Sequence, residues 1–108
     1  MTSGYERPDV LMTVTPRVRL GCGRVMYVRI SSDQGRIVEV IACVSGESGT
    51  CEGALVEAVC RLASGWLQAG GTVEDVSRAI IGIRCPQPVI GRHLSCMDAL
   101  GKGLVTHE

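Results

Sequence analysis

A chain of 108 residues with 11 basic and 11 acidic side chains and 45% hydrophobic residues fits one compact domain and not two. Its zero formal charge argues against direct binding of nucleic acid, which needs a basic surplus to displace counterions from phosphates. Tyr5, Tyr27 and Trp66 are its only Tyr and Trp side chains, and Phe is absent. A stacking platform is therefore not expected, and the core must be aliphatic with Trp66 as its one large anchor.

The opening residues carry no apolar leader segment, so no secretory signal is expected. No apolar run approaches the roughly 20 residues of a membrane span. The chain therefore reads as cytoplasmic, where disulfides are disfavoured. Its six cysteines then point to metal, catalysis or plain burial.

Residues 1–12, polar and Pro-containing, read as a flexible N-terminal arm, and residues 13–108 as a single domain. The stretch Thr13 to Leu20 alternates through Val14, Pro16, Val18 and Leu20, an edge strand interrupted by proline. Gly21-Cys22-Gly23 is a turn. Arg24 to Ser31 and Arg36 to Val44 are β-rich runs around the turn residues Ser32-Asp33-Gln34-Gly35, which predicts an antiparallel hairpin. After the small, polar loop 45–50 the period changes. Apolar residues at 55, 56, 59, 62, 63, 66 and 67 predict a helix over 51–69 with one wide apolar face.

Gly70-Gly71 ends that helix. Thr72 caps the next, with Asp75 completing a variant capping box, and the helix runs to about Ile81, where Gly82 closes it. Cys85-Pro86-Gln87-Pro88 is extended, because each proline biases its predecessor away from the α region. Ser95 is a good N-cap for a last helix from Cys96 to about Leu104, with Asp98 in its first turn. Strands first and helices after make an α+β domain: a small antiparallel sheet of about three strands, packed on one face by two to three helices.

The cysteines divide. Cys43, within the second long strand run, and Cys60, on the apolar helix face, read as small buried hydrophobes. Cys22, Cys51, Cys85 and Cys96 all lie at element ends, two of them at helix N-termini, where unpaired N–H groups stabilise a thiolate. Thiolates bind zinc or iron, and four is the count of a closed tetrahedral site. The spacing is not that of two C-x-x-C pairs, so four unrelated cysteines remain an alternative on pattern alone. His93 sits three residues before Cys96, within reach of the same site or simply solvated. Ser95 has no histidine and acid beside it and is a cap before it is a nucleophile. Asp98 is a helix-dipole residue before it is a catalytic acid. Glu47 in the loop before the long helix would repel a phosphate.

Gly21-Cys22-Gly23, Tyr27-Val28, Ser48-Gly49-Thr50-Cys51, Gly82-Ile83-Arg84-Cys85-Pro86 and Ser95-Cys96-Met97-Asp98-Ala99 together resemble the TSCPD domain. That domain occurs at the C-terminal side of adenosylcobalamin-dependent (class II) ribonucleotide reductases and as short stand-alone proteins. The resemblance runs from about Glu6 to Leu104. It implies cysteines of one site at Cys22, Cys51, Cys85 and Cys96, the four that position had already set apart. Leu94 and Met97 depart from the motif's Thr and Pro, and Glu47 stands where reductase-type members often have Lys. A more distant similarity, to U-type iron–sulfur scaffold proteins, implies a small sheet covered on one face by helices, with the cysteines gathered at one end.

A class II reductase also needs a large barrel with its own radical cysteine and cobalamin site, which 108 residues cannot hold. The expectation is therefore a four-cysteine module, zinc-bound and not catalytic alone. It would support a ribonucleotide reductase catalytic subunit, and so deoxyribonucleotide synthesis for DNA replication. The alternatives are an iron–sulfur cluster carrier on the same cysteines, or a metal-free domain docking through the Trp66 face or the arm. The apolar character, a mean hydropathy of +0.24, is also compatible with a homo-oligomer.

Overall fold

The structure, a computed structural model, describes residues 5–20, 23–46, 49–85 and 95–106. Strands β1 (Met12–Val14), β2 (Arg17–Arg19), β3 (Val25–Asp33) and β4 (Arg36–Val44) precede helices α1 (Cys51–Gln68), α2 (Val73–Ile80) and α3 (Cys96–Thr106). The arrangement is the expected α+β one, with four strands. The fourth arises at Pro16, which has no N–H to give a ladder. The single edge strand expected over residues 13–20 is thus two, β1 and β2, which pair in turn with successive halves of β3. β4 pairs with β3 from the other side, and every pairing is antiparallel. The β3–β4 hairpin turns on Gln34 and Gly35, both with positive φ (51° and 81°), the two-residue geometry whose twist matches its strands.

The side-chain period of two fixes the faces. Met26, Val28, Ile30, Val40 and Val44 point inward and are buried. Tyr27 opposite Cys43, and Arg29 opposite Ile41, point outward. Cys43 is therefore exposed and not the buried hydrophobe its apolar neighbours suggest. It lies one residue out of phase with Val40, Ala42 and Val44. A register shift between Ser31 and Ser32 leaves Val38 without a partner across the ladder. This bulge allows Ile37 and Val38 to be buried side by side.

α1 covers the free edge of β4. The Gln68 amide donates to the Val38 carbonyl (3.1 Å). The Ser64 hydroxyl accepts from the Val40 N–H (2.9 Å) and bonds the Val40 carbonyl (3.1 Å). The Cys60 sulfur accepts from the Ala42 N–H. Four-residue steps along the helix, about 6 Å, track two-residue steps along the strand, about 6.8 Å. These side chains occupy an edge that would otherwise invite another strand. Cys60 is buried as expected, and burial pushes its thiol pKa up while the Ala42 N–H pulls it down.

Beneath the sheet, α3 places Leu100 and Leu104 in the core beside Met26, Val28 and Ile30. α2 packs on α3 through Val76 and Ile80, and the Ser77 hydroxyl donates to the Gly101 carbonyl (3.1 Å). The approach is close: a Cβ at Gly101 would lie 2.6 Å from Ile81 Cγ1. No described helix is long and apolar enough to cross a membrane.

Trp66 is not the core anchor that its size suggests, because 51% of its surface is exposed. It closes the junction of α1 with α2. Its ring fits against Gly71, where an added Cβ would overlap the indole at 2.0 Å. Its Nε1–H donates to Asp75 Oδ2 (3.2 Å). Thr72 and Asp75 form the expected capping box of α2. The Thr72 N–H, the Thr72 hydroxyl and the indole N–H all lower the Asp75 pKa. A depressed folded-state pKa gives stability that is present above the ordinary carboxylate range and lost as pH falls through the folded value. The Trp66 emission is thus expected to titrate in acid with a midpoint below the ordinary carboxylate value of 3.8. Asp75→Asn should abolish that transition, and a titration that survives it unchanged would assign the step to another group.

Candidate functional site

Ser95 and Asp98 act as a clip at the start of α3. The Ser95 hydroxyl accepts from the Asp98 N–H (3.1 Å), the N-cap expected of it, and donates to the Ile83 carbonyl. The Asp98 carboxylate accepts from the Gly82 N–H (2.8 Å) and pairs with Lys102 Nζ at 2.9 Å. Asp98 is wholly buried, so it does far more than answer the helix dipole. It joins the end of α2 to the first turn of α3. Gly82, at φ +92°, makes the bend that presents its N–H.

Two residues past Ile83, the clipped segment reaches Cys85. The electrostatic influence of Cys85 is felt at Cys96, and both cysteines are half-buried. Burial pushes the Cys96 thiol pKa up. The N–H groups of Met97 and Cys96 pull it down, as a helix N-terminus should, but the charges of Cys85 and Glu52 push it up again. The net direction is upward.

Glu52 belongs to the first turn of α1, next to Cys51, which is exposed. That turn is capped by Thr50, whose hydroxyl accepts from the Gly53 N–H (3.1 Å). The Glu52 carboxylate also pairs with Arg24 Nη1 at 3.1 Å. Arg24 follows the Gly21-Cys22-Gly23 segment. The Arg24–Glu52 pair thus ties the residue before β3 to the start of α1, and the charges of Glu52 and Cys85 both reach Cys96 at the start of α3.

Of the four cysteines expected to form one site, Cys85 and Cys96 lie within electrostatic reach of each other. Cys51 belongs to the adjoining helix turn. Cys22 and His93 lie outside the described residues, as do Glu47, Pro86 and Leu94. Among the described residues, no three of His, Cys, Asp and Glu are grouped closely enough to hold a metal ion. Cys51, which is described, is not grouped with Cys85 and Cys96 in such a cluster. Sequence reasoning missed Glu52 as a neighbour of Cys96 and Arg24 as its partner. Neither has a motif, and only the tertiary arrangement reveals them.

The family model for the TSCPD domain matches residues 3–108. No curated protein and no solved structure matches the chain.

Proposed function

The chain belongs to the TSCPD domain family, and on that premise we propose that it is a zinc-binding accessory module of ribonucleotide reduction, with Cys22, Cys51, Cys85 and Cys96 as ligands. The observation that supports this reading is the pairing of Cys85 with Cys96 beside Glu52. Two thiols beside a carboxylate are a donor set that a divalent cation would stabilise, because the cation favours the ionised thiols. Zinc held there would cross-link four chain segments and contribute folding energy directly. The chain's own residues prepare for it. Ser95 and Asp98 fix the 82–85 segment against α3, and the α3 N–H groups offset part of the sulfur charge. The role is structural and docking, not catalytic, and the partner is the catalytic subunit of an adenosylcobalamin-dependent reductase.

Protein purified without added metal is expected to carry about one zinc per chain, the stoichiometry of one tetrahedral site. Cys96→Ser is expected to lose most of that zinc and to melt at lower temperature. Elemental analysis finding neither zinc nor iron in wild-type protein would overturn the reading. A coloured, transferable cluster after anaerobic reconstitution would instead assign the same cysteines to iron–sulfur chemistry.

A further inference from the structure

α1 carries two apolar seams with the same spacing. Val56, Cys60, Ala63 and Leu67, separated by 4, 3 and 4 residues, are its buried positions. Leu55, Val59, Leu62 and Trp66 repeat that 4-3-4 spacing one residue earlier. The first seam is spent on the sheet. Most of the second is not: Val59 is half-buried against the core, but Leu55 and Leu62 are each 66% exposed and Trp66 51%. Along the side of this seam away from the core lie Ala58, Gly65 and Ala69, which let another backbone come close. On its other side an apolar groove of about 620 Å³ opens between α1 and α2, with Val76 and Ala79 in its far wall.

A 3.5-residue repeat is the seam that a facing helix fills, knob into hole. The occupant must present a matching apolar repeat, and the seam carries no charge that would select a charged partner. α1 supplies that repeat itself. The 4-3-4 spacing is symmetric about its own midpoint, so two copies related by a two-fold axis fall into register antiparallel. Leu55 then faces Trp66, Val59 faces Leu62, and the two helix dipoles oppose. A parallel pair would instead set Trp66 on Trp66. Trp66 is pre-positioned for this role by Gly71 and Asp75, so little freedom is lost when a partner covers it. We propose that the protein forms a two-fold homodimer in which the exposed α1 seams pair antiparallel, the Leu55 side chain of each copy entering the groove beside Trp66 of the other. A single helix pair is a small interface beside the roughly 1,200–2,000 Å² of stable complexes, and association is looked for on the order of 1 to 100 µM.

Sedimentation equilibrium of the full chain across that range tests the proposal. Wild-type protein is expected to pass from monomer to dimer. Leu62→Glu is expected to stay monomeric with an unchanged far-UV spectrum, since the residue is on the surface. Val59→Lys, a half-buried position whose long stem can carry its ammonium to water, should keep the wild-type far-UV spectrum and also weaken the dimer. Mixed with Leu62→Glu, it should restore association, because residues 59 and 62 face each other only in the antiparallel register. A wild type that remains monomeric, a Leu62→Glu dimer as tight as wild type, or a mixture that fails to associate overturns the proposal. Metal content of Leu62→Glu should match wild type, so the outcome is separable from that of the cysteine reading.

Discussion

Asp98→Ala is expected to destabilise the domain by about 2–3 kcal/mol, combining the loss of a charged hydrogen-bond acceptor with the loss of an N-terminal helix anion. The carboxylate is completely buried, and it accepts the Gly82 N–H at 2.8 Å. Its removal strands that N–H and opens a polar void at the α2–α3 joint. Lys102, with 42% of its side chain exposed, returns to water at little cost, so the loss lies with Gly82 and the helix start. Asp98→Asn keeps an acceptor oxygen and should recover about half of the loss. The consequence extends to the cysteines, because the clip holds the segment that delivers Cys85. Thiol alkylation of metal-free protein should show Cys85 reacting faster in Asp98→Ala. Urea unfolding that places Asp98→Ala within about 0.5 kcal/mol of wild type would show that the clip is not a structural tie.

Leu104→Ala is expected to cost about 2–5 kcal/mol, the transfer term for the lost atoms plus the cavity left behind. Leu104 is fully buried and shares its cluster with Leu100, Met26 and Val28, so it is part of what docks α3 under the sheet. Domains of this size carry about 5–15 kcal/mol in total, which puts the variant near the edge of folding at 37 °C. In urea the midpoint should fall with the slope nearly unchanged, the mark of altered stability rather than altered unfolded state. Leu104→Met conserves volume and should lose less than about 1.5 kcal/mol. A wild-type midpoint for Leu104→Ala would mean that α3 is not docked as described.

The two variants probe what the sequence announces and what it conceals. Thr72 with Asp75, Ser95 before Cys96, and Gly82 were all legible as caps and stops, because their hydrogen bonds span only a few residues. The hairpin was legible for the same reason, since two β-rich runs flank a two-residue turn. The second use of Ser95 and Asp98, tying residues 82 and 83, was not legible, because those partners are 12 and 16 residues away. Cys43 and Trp66 failed differently. Apolar content was read as burial, but strand parity turns Cys43 to the outer face. The α1 seam holding Trp66 has the same spacing as the buried one, and periodicity cannot say which of two equal seams meets the sheet.

What the sequence by itself determined is the order and type of the main elements and the burial of Cys60, because local hydrogen bonding and side-chain period act within a few residues. Membership of the TSCPD family was likewise readable in the spaced motifs. What only the tertiary structure decided is which residues meet. The charges of Cys85 and Glu52 reach Cys96, α1 seals the β4 edge with Cys60, Ser64 and Gln68, and most of one apolar seam stays in water. These depend on how helices seat on a twisted sheet, a choice made by the packing of the whole core and written in no single segment.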